Sequence, residues 1–434
     1  MLELLYYHGQ KRNPYYIMKK LNSLEGLFSY VIRDKNKIYL MQDRMGDYLW
    51  LYFTIVDGTL HYSNNFNDMI ELIDNPTLDY EAVKQRLISE FTWGDRTLVN
   101  EIKKVPLHCM AVFDEEDKTM IYHPLNFDAP DRSKNIVPYY ENILPEYPDV
   151  EAIAYSAGFD SNMLLYKYHH PDIKLFTVGA DKGRDDSVGA SIITEALGFK
   201  NNLQITKPTC KDLQDFPTLV KICGESWNKG AFTTYLLAKL CKEHNINSIL
   251  IGEGGNEIFT QVYNKFLYDT SLRWDVTTKG DFGRHVSTSV GMVANHAIKR
   301  TGAIFNYFNI EPVFPFLDLN FIKSLEPSDD HYTNQNRYRT RVLDVLPSKA
   351  REVIKTQGGS FDLINLVHNE EEIIRYKEFA LNSKFYPMWK DACESKGPTK
   401  DYVLDWVFNI IYLHLFEEIY VNKKEIKTLD EVIR

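Results

Sequence analysis

Residues 152–165, AIAYSAGFDSNMLL, decide how this chain is to be read. An apolar run ends at Tyr155, the turn Ser156-Ala157-Gly158-Phe159-Asp160-Ser161 follows, and a helical pattern begins at once. Small residues let the backbone approach an anion, and hydroxyls donate to its oxygens. The first N–H groups of a new helix point the same way, with the positive end of its dipole. The pattern reads as a pyrophosphate cradle, distinct from GxxxxGK[ST] and from GxGxxG. Asp160 repels phosphate by itself, so a carboxylate there implies a bridging divalent cation, most naturally magnesium. The plainer reading is an ordinary strand-to-helix turn with Ser161 as the N-cap.

After Asp149, apolar strands alternate with helical stretches: VEAIAY, SNMLLYKYHH, IKLFTV, DDSVGASIITEALG, then AFTTYLLAKLCKEH and SILIG. That alternation predicts βαβ crossovers, hence an α/β fold with a doubly wound parallel sheet that binds ligands at its carboxyl edge. Beyond Phe282 the chain reads as mostly helical. It ends in DYVLDWVFNIIYLHLFEEIYV, whose apolar stripe predicts core packing. Upstream, Gly26 to Tyr122 shows short alternating runs broken by turn residues: GLFSYVIRD, KIYLMQD, YLWLYFTIVDGTLHYS and CMAVFDEEDKTMIYH. These predict antiparallel hairpins, interrupted by one helix in YEAVKQRLISEF. The proline-bearing stretch 126–149 reads as a linker. The expected units are therefore a smaller β-rich domain, 1–140, and a parallel-sheet domain with a helical C-terminal part, 141–434.

The chain has 434 residues, 44% hydrophobic and 25% charged, enough for two cores at about 100 to 200 residues each. Its formal charge of -10 speaks against a general grip on nucleic acid. No apolar run approaches the roughly 20 residues of a membrane span, and the start lacks a signal peptide's basic-then-apolar order, so a cytoplasmic location without membrane partners is expected. Five scattered cysteines, without a CxxC pair, read as buried free thiols. Twelve histidines form no HExxH, and no transition metal is assigned.

SAGFDS, with ILIGEGGNEIF (249–259), VFPFLD (313–318) and LPSKAREVIKTQGGSFD (346–362), resembles the PP-loop ATP pyrophosphatases. The likeness is to the asparagine synthetase-like enzymes, which include β-lactam synthetases and lasso-peptide cyclases. FTVGADKGRDDSVGASIITEALGF (176–199) is similar to that family's adenine strand and following helix. The resemblance runs from Gly26 to about Asp362 and implies an Ntn-hydrolase-like N-terminal domain beside a PP-loop synthetase domain. It implies an ATP-dependent amide-forming ligase: a carboxylate is adenylated, pyrophosphate leaves, an amine or ammonia attacks, and AMP leaves. Carried onto this chain, Ser156, Ala157, Gly158, Phe159, Asp160 and Ser161 would hold the pyrophosphate, with Ala157 a tolerable departure from the family's glycine. Val178 and Gly179 would contact adenine through their backbone. Gly252 and Glu253 would lie by the α-phosphate and the acceptor, and Lys355 would neutralise developing charge. Asp160 and Asn256 would be the magnesium positions, so the implied cofactors are ATP and Mg2+. Taken singly, Lys355 also reads as a solvated loop-edge lysine and Glu253 as a turn residue. The Asp185–Ser187 stretch reads as an N-cap with an acidic first turn.

Three departures qualify the resemblance. Leu2 stands where the glutamine-cleaving members have a cysteine, and little chain precedes Gly26, so the first domain reads as a truncated scaffold without glutaminase activity. Asp43-Arg44-Met45-Gly46 is similar to the family's RDxxG turn. Asn256 replaces an aspartate, which weakens a magnesium site unless Glu257 compensates. From Phe282 to Ile310 there is no Asp or Glu, leaving His285 or His296 to titrate near neutral pH. The expected partner is a small molecule or peptide carrying a carboxylate, held by loops within 227–232 and 259–281, and a homodimer could cover the truncated first domain. The alternatives are an intramolecular cyclase forming a lactam or macrocyclic peptide, a degenerate nucleotide-binding homologue, and an enzyme acting on a modified base or nucleic acid.

Overall fold

Alternation in the first third of the chain sorts side chains between two sheets. The computed structural model describes residues 2–7, 28–42, 49–106, 109–124, 144–147, 149–180, 185–228, 230–255, 297–318, 321, 348–356, 370–396 and 405–433. Strands β1 (Leu2–Tyr7), β2 (Phe28–Asp34) and β3 (Lys37–Gln42) begin an antiparallel sheet. β4 (Tyr52–Val56) and β5 (Thr59–Ser63) form a hairpin across Asp57-Gly58, both at positive φ as a tight two-residue connection requires. Two helices follow, α1 (Phe66–Ile70) and α2 (Tyr80–Ser89), the second capped by the Asp79 side chain. Then come β6 (Lys103–Lys104), β7 (Cys109–Asp114) and β8 (Thr119–Pro124).

The orders are β1-β2-β3-β7-β8 in one sheet and β5-β4-β6 in the other. Val31, Ile38, Leu40, Ala111 and Phe113 from the first meet Leu51, Phe53 and Leu60 of the second in a small apolar core. Their neighbours Trp50 and Tyr52 face the opposite way, into the main core of the molecule. The three-stranded sheet is thus apolar on both faces, and the main core runs across the expected boundary near residue 140. The sequence reading began at Gly26; the structure adds β1, paired antiparallel with β2 from Leu2↔Ile32 to Tyr7↔Phe28.

The third sheet is wholly parallel. It comprises β9 (Ala152–Ala154), β10 (Lys174–Val178), β11 (Leu203–Thr206), β12 (Ser248–Leu250) and β13 (Glu311–Val313). Among the described residues the α-helices between them are α3 (Phe159–Tyr168), α4 (Asp186–Leu197), α5 (Phe216–Cys223), α6 (Ala231–Glu243) and α7 (Lys299–Tyr307). The order β11-β10-β9-β12-β13 places the first strand in the centre, with later strands added on one side and then the other. The order reverses between β9 and β12, the point at whose carboxyl ends sheets of this kind form their ligand crevice.

The C-terminal helices are α8 (Ser348–Thr356), α9 (Glu370–Asn382), α10 (Phe385–Lys396) and α11 (Asp405–Phe416). The sequence predicted an apolar stripe for the last of these. It does pack into the core, and further than a stripe: Val407, Phe408, Ile410, Ile411, Tyr412, Leu413, Leu415 and Phe416 are all buried, so α11 is surrounded rather than laid on a surface. Tyr412 stacks on Trp227 with ring centroids 4.8 Å apart and donates to the Gly224 carbonyl at 2.6 Å. No helix of the described residues is long and apolar enough to cross a membrane.

Candidate active site

β9 ends at Ala154, and the peptide N–H of Tyr155 makes one more ladder bond, to the Phe176 carbonyl at 2.7 Å. The chain then turns through Ser156 and Ala157 into α3, whose N-cap is Gly158 with no side-chain cap hydrogen bond. Ser161 is therefore not the N-cap; its hydroxyl donates to the Gly158 carbonyl at 3.1 Å from inside the first turn. A helix start without a capping side chain leaves its dipole end suited to an anion.

Two residues that the sequence reading passed over hold this turn. Asn162, buried, donates to the carbonyls of Ala157 at 2.9 Å and Gly158 at 2.8 Å. Its Oδ1 in turn accepts from the Tyr155 hydroxyl at 2.8 Å. Burial pushes that hydroxyl far above its usual range, so it stays a proton donor. The only sequence signal was a hydroxylated ring ending an apolar strand, followed by an amide in the helix. Ala157 has φ of +59°, a left-handed conformation that favours glycine, so the departure from the family's glycine carries backbone strain.

The turn after β12 closes over this loop. A Cβ on Gly252 would lie 3.1 Å from Asp160 Cβ, and one on Gly255 only 2.6 Å from the Asp160 carboxyl carbon and Oδ1. Gly254, at φ of +93°, lies against Leu317 of the PFLD segment, where a Cβ would come within 2.5 Å of that side chain. Three chain segments far apart in sequence therefore meet with no room for a methyl group between them. Asp160 and Gly252, read separately from the sequence, are neighbours.

Along β10, Gly179 donates to the Thr206 carbonyl on the β11 side at 2.8 Å. Alternation turns the peptide groups of Val178 the other way, toward the crevice where β9 has already ended. A Cβ on Gly179 would lie 2.7 Å from Ser187 Oγ and 2.9 Å from Asp185 Oδ1, so glycine is required for the following turn to fold back. Asp185 caps α4, as the sequence reading had it, accepting from Ser187 N at 2.9 Å, and also accepts from Ala180 N at 3.2 Å. Burial alone would raise the Asp185 carboxyl, but these bonds and Lys207 outweigh it and hold it below its usual range.

Glu253 does not stand alone in its turn. Its carboxylate pairs with Arg300 and accepts from the Thr301 hydroxyl at 2.8 Å. Lys355 lies in the last turn of α8, a helix that packs along α4. Asp43-Arg44-Met45-Gly46, Asn256, Glu257, His285, His296 and the loop 259–281 lie outside the described residues. Among the described residues no group of three or more His, Cys, Asp or Glu side chains gathers. Among the described residues, Asp160 is the carboxylate of this loop that suits a magnesium ion, with phosphate oxygens and water completing the hard-oxygen shell.

A strand, a small-residue turn and an uncapped helix at the switch point of a doubly wound sheet form the kind of edge that suits a phosphorylated ligand. Residues 152–336, which span most of the parallel-sheet part of the chain, match the family model described as asparagine synthase. The chemistry of that domain is, broadly, ATP-dependent ligation with amide formation. No curated protein matches the chain.

Proposed function

We propose that this chain adenylates a carboxylate with ATP and joins the acyl group to ammonia or a substrate amine, without releasing ammonia from glutamine itself. The observation that carries the reading is the glycine turn 252–255 closed on Asp160. A phosphate tail received by the open head of α3, with a cation between it and Asp160, accounts for a carboxylate set beside a turn of glycines.

Ser156, Gly158 and Ser161, with the first N–H groups of α3, receive the β,γ-pyrophosphate, where charge accumulates as the bridging bond to the α-phosphorus breaks. Val178 and Gly179 border the adenine. Asp160 and, in the family's pattern, Asn256 would hold a magnesium ion, which would neutralise charge on the leaving pyrophosphate. The acceptor oxygen attacks the α-phosphorus beside Gly252, and the bridging electron pair leaves with pyrophosphate. The amine nitrogen then attacks the acyl carbon, loses a proton, and AMP departs. Lys355 acts as a point charge on the phosphate side. Burial raises the thiols of Cys109, Cys223 (to about 12) and Cys241, so these three are not activated nucleophiles for glutamine.

The test is incubation of the chain with magnesium and ATP labelled at the α or γ phosphate, with candidate carboxylates and ammonia or amines. Acceptor-dependent AMP and pyrophosphate are expected, and Asp160→Asn should abolish them. Acceptor-dependent ADP and phosphate would exclude the mechanism.

A further inference from the structure

Lys299, Arg300 and Thr301 are three consecutive polar side chains, all buried, at the start of α7. Successive residues of a helix point in different directions, so each must reach a different neighbour. Lys299 donates to the Leu49 carbonyl at 2.7 Å and lies 4.6 Å from the Trp50 ring, on the N-terminal sheets. Arg300 divides its guanidinium: Nη1 donates to Asn228 Oδ1, and Nη2 pairs with Glu253 and donates to Thr301 Oγ1 at 3.1 Å. Asn228 Oδ1 also accepts from the Gly230 peptide N–H at 2.9 Å. A Cβ on Gly230 would lie 2.4 Å from Arg300 Nη1, so that turn too is shaped around the guanidinium.

We infer that Arg300 is a positioning residue for the nucleotide crevice, setting the Gly252–Gly255 turn against Asp160 through Glu253 while fixing the Asn228–Gly230 turn with its other nitrogen. Glu253 then holds its own turn in place and is not itself a proton-transfer group. A buried guanidinium is costly unless its partners are excellent, and helix packing alone would favour an apolar side chain. A planar fork can join two turns at a fixed spacing, which a lysine's single nitrogen cannot. The inference deepens the proposed function and rests on it for the meaning of the crevice, but its structural part is testable without a substrate.

The experiment compares Arg300→Gln, Glu253→Gln, the double variant and Arg300→Lys by hydrogen exchange and by calorimetric titration with magnesium-ATP. Expected is a tenfold or greater acceleration of exchange in peptides covering 249–255, with exchange in the β2–β3 hairpin unchanged. The double variant should be no worse than either single one, because both remove the same tie. Magnesium-ATP affinity should fall about tenfold in each, and Arg300→Lys should fail to restore it. Uniform acceleration across both sheets, additive single effects, or full rescue by lysine would overturn the inference. Absence of magnesium-ATP binding to the parent chain would overturn the ligase reading instead, and the exchange pattern alone would then decide the role of Arg300.

Discussion

Glu225 and Glu253 each meet a buried cation, yet the two regions around them are built differently. Glu225 pairs with Lys104 at 3.0 Å, with side chains only 1% and 2% exposed. Thr92 accepts from Lys104 at 2.6 Å and donates to Glu225 at 3.2 Å, and the ammonium lies 4.1 Å from the Trp50 ring. That pair is sealed and joins β6 to the turn after α5. Glu253, by contrast, is 25% exposed while its partner Arg300 is 6% exposed. One member of the second pair is closed in by protein and the other keeps part of its surface open. The comparison teaches that charge pairing by itself says little about role: enclosure on every side fastens a strand to a turn, while an open side leaves a carboxylate accessible from solvent.

The largest effect expected is on the sealed pair. Lys104→Met should strand the Glu225 carboxylate and cost about 3–5 kcal/mol of stability, measured by denaturant unfolding. The double change Lys104→Met with Glu225→Leu should recover most of that loss, because no buried charge remains. If Glu225 were instead poised for chemistry, ligation would fall while stability held.

Next comes the crevice itself. Gly255→Ala would place a methyl group 2.6 Å from the Asp160 carboxylate. It should abolish magnesium-ATP binding in calorimetry while costing only about 1–3 kcal/mol in unfolding, the range for an overpacked site. Retained binding would show that the turn does not border the phosphate tail.

Ala157 gives a smaller and more discriminating pair of outcomes. Its left-handed backbone suits glycine, so Ala157→Gly should stay within about 1 kcal/mol of the parent in unfolding and keep nucleotide binding. Ala157→Val should lose about 1–3 kcal/mol, since a β-branched residue at positive φ is strained and the site is fully buried.

The smallest effect concerns Asp185. Its folded-state carboxyl lies below the ordinary range, so its contribution to stability is present at neutral pH. That contribution is lost as pH falls below about 4 through the ordinary carboxyl range, where the unfolded chain takes up the proton first. Asp185→Asn should flatten the acid limb of a stability profile and leave the neutral plateau slightly lower. An unchanged acid limb would remove Asp185 from the account.

Much of this was legible because it is local. The strand-turn-helix at 152–165 needs only a short apolar run, small residues and a helix start, and it appears where the sequence placed it. The Asp-Gly hairpin and the Asp185 cap are likewise decided by neighbours in the chain. The parallel sheet followed from the alternation of strand and helix patterns, although the linear pattern did not reveal that α11 is enclosed on all sides.

What tertiary structure alone decided is which distant residues touch. The chain's own order of residues specified a phosphate-sized turn with an acid in it, since backbone conformation and helix polarity are set within a few residues. It could not specify that Gly255 leaves space for Asp160, that Leu317 occupies the place beside Gly254, or that Arg300 ties Glu253 to Asn228. Those facts depend on the packing of β9, β12, α7 and the PFLD segment into one edge, where separations of a few ångströms are fixed by the whole core.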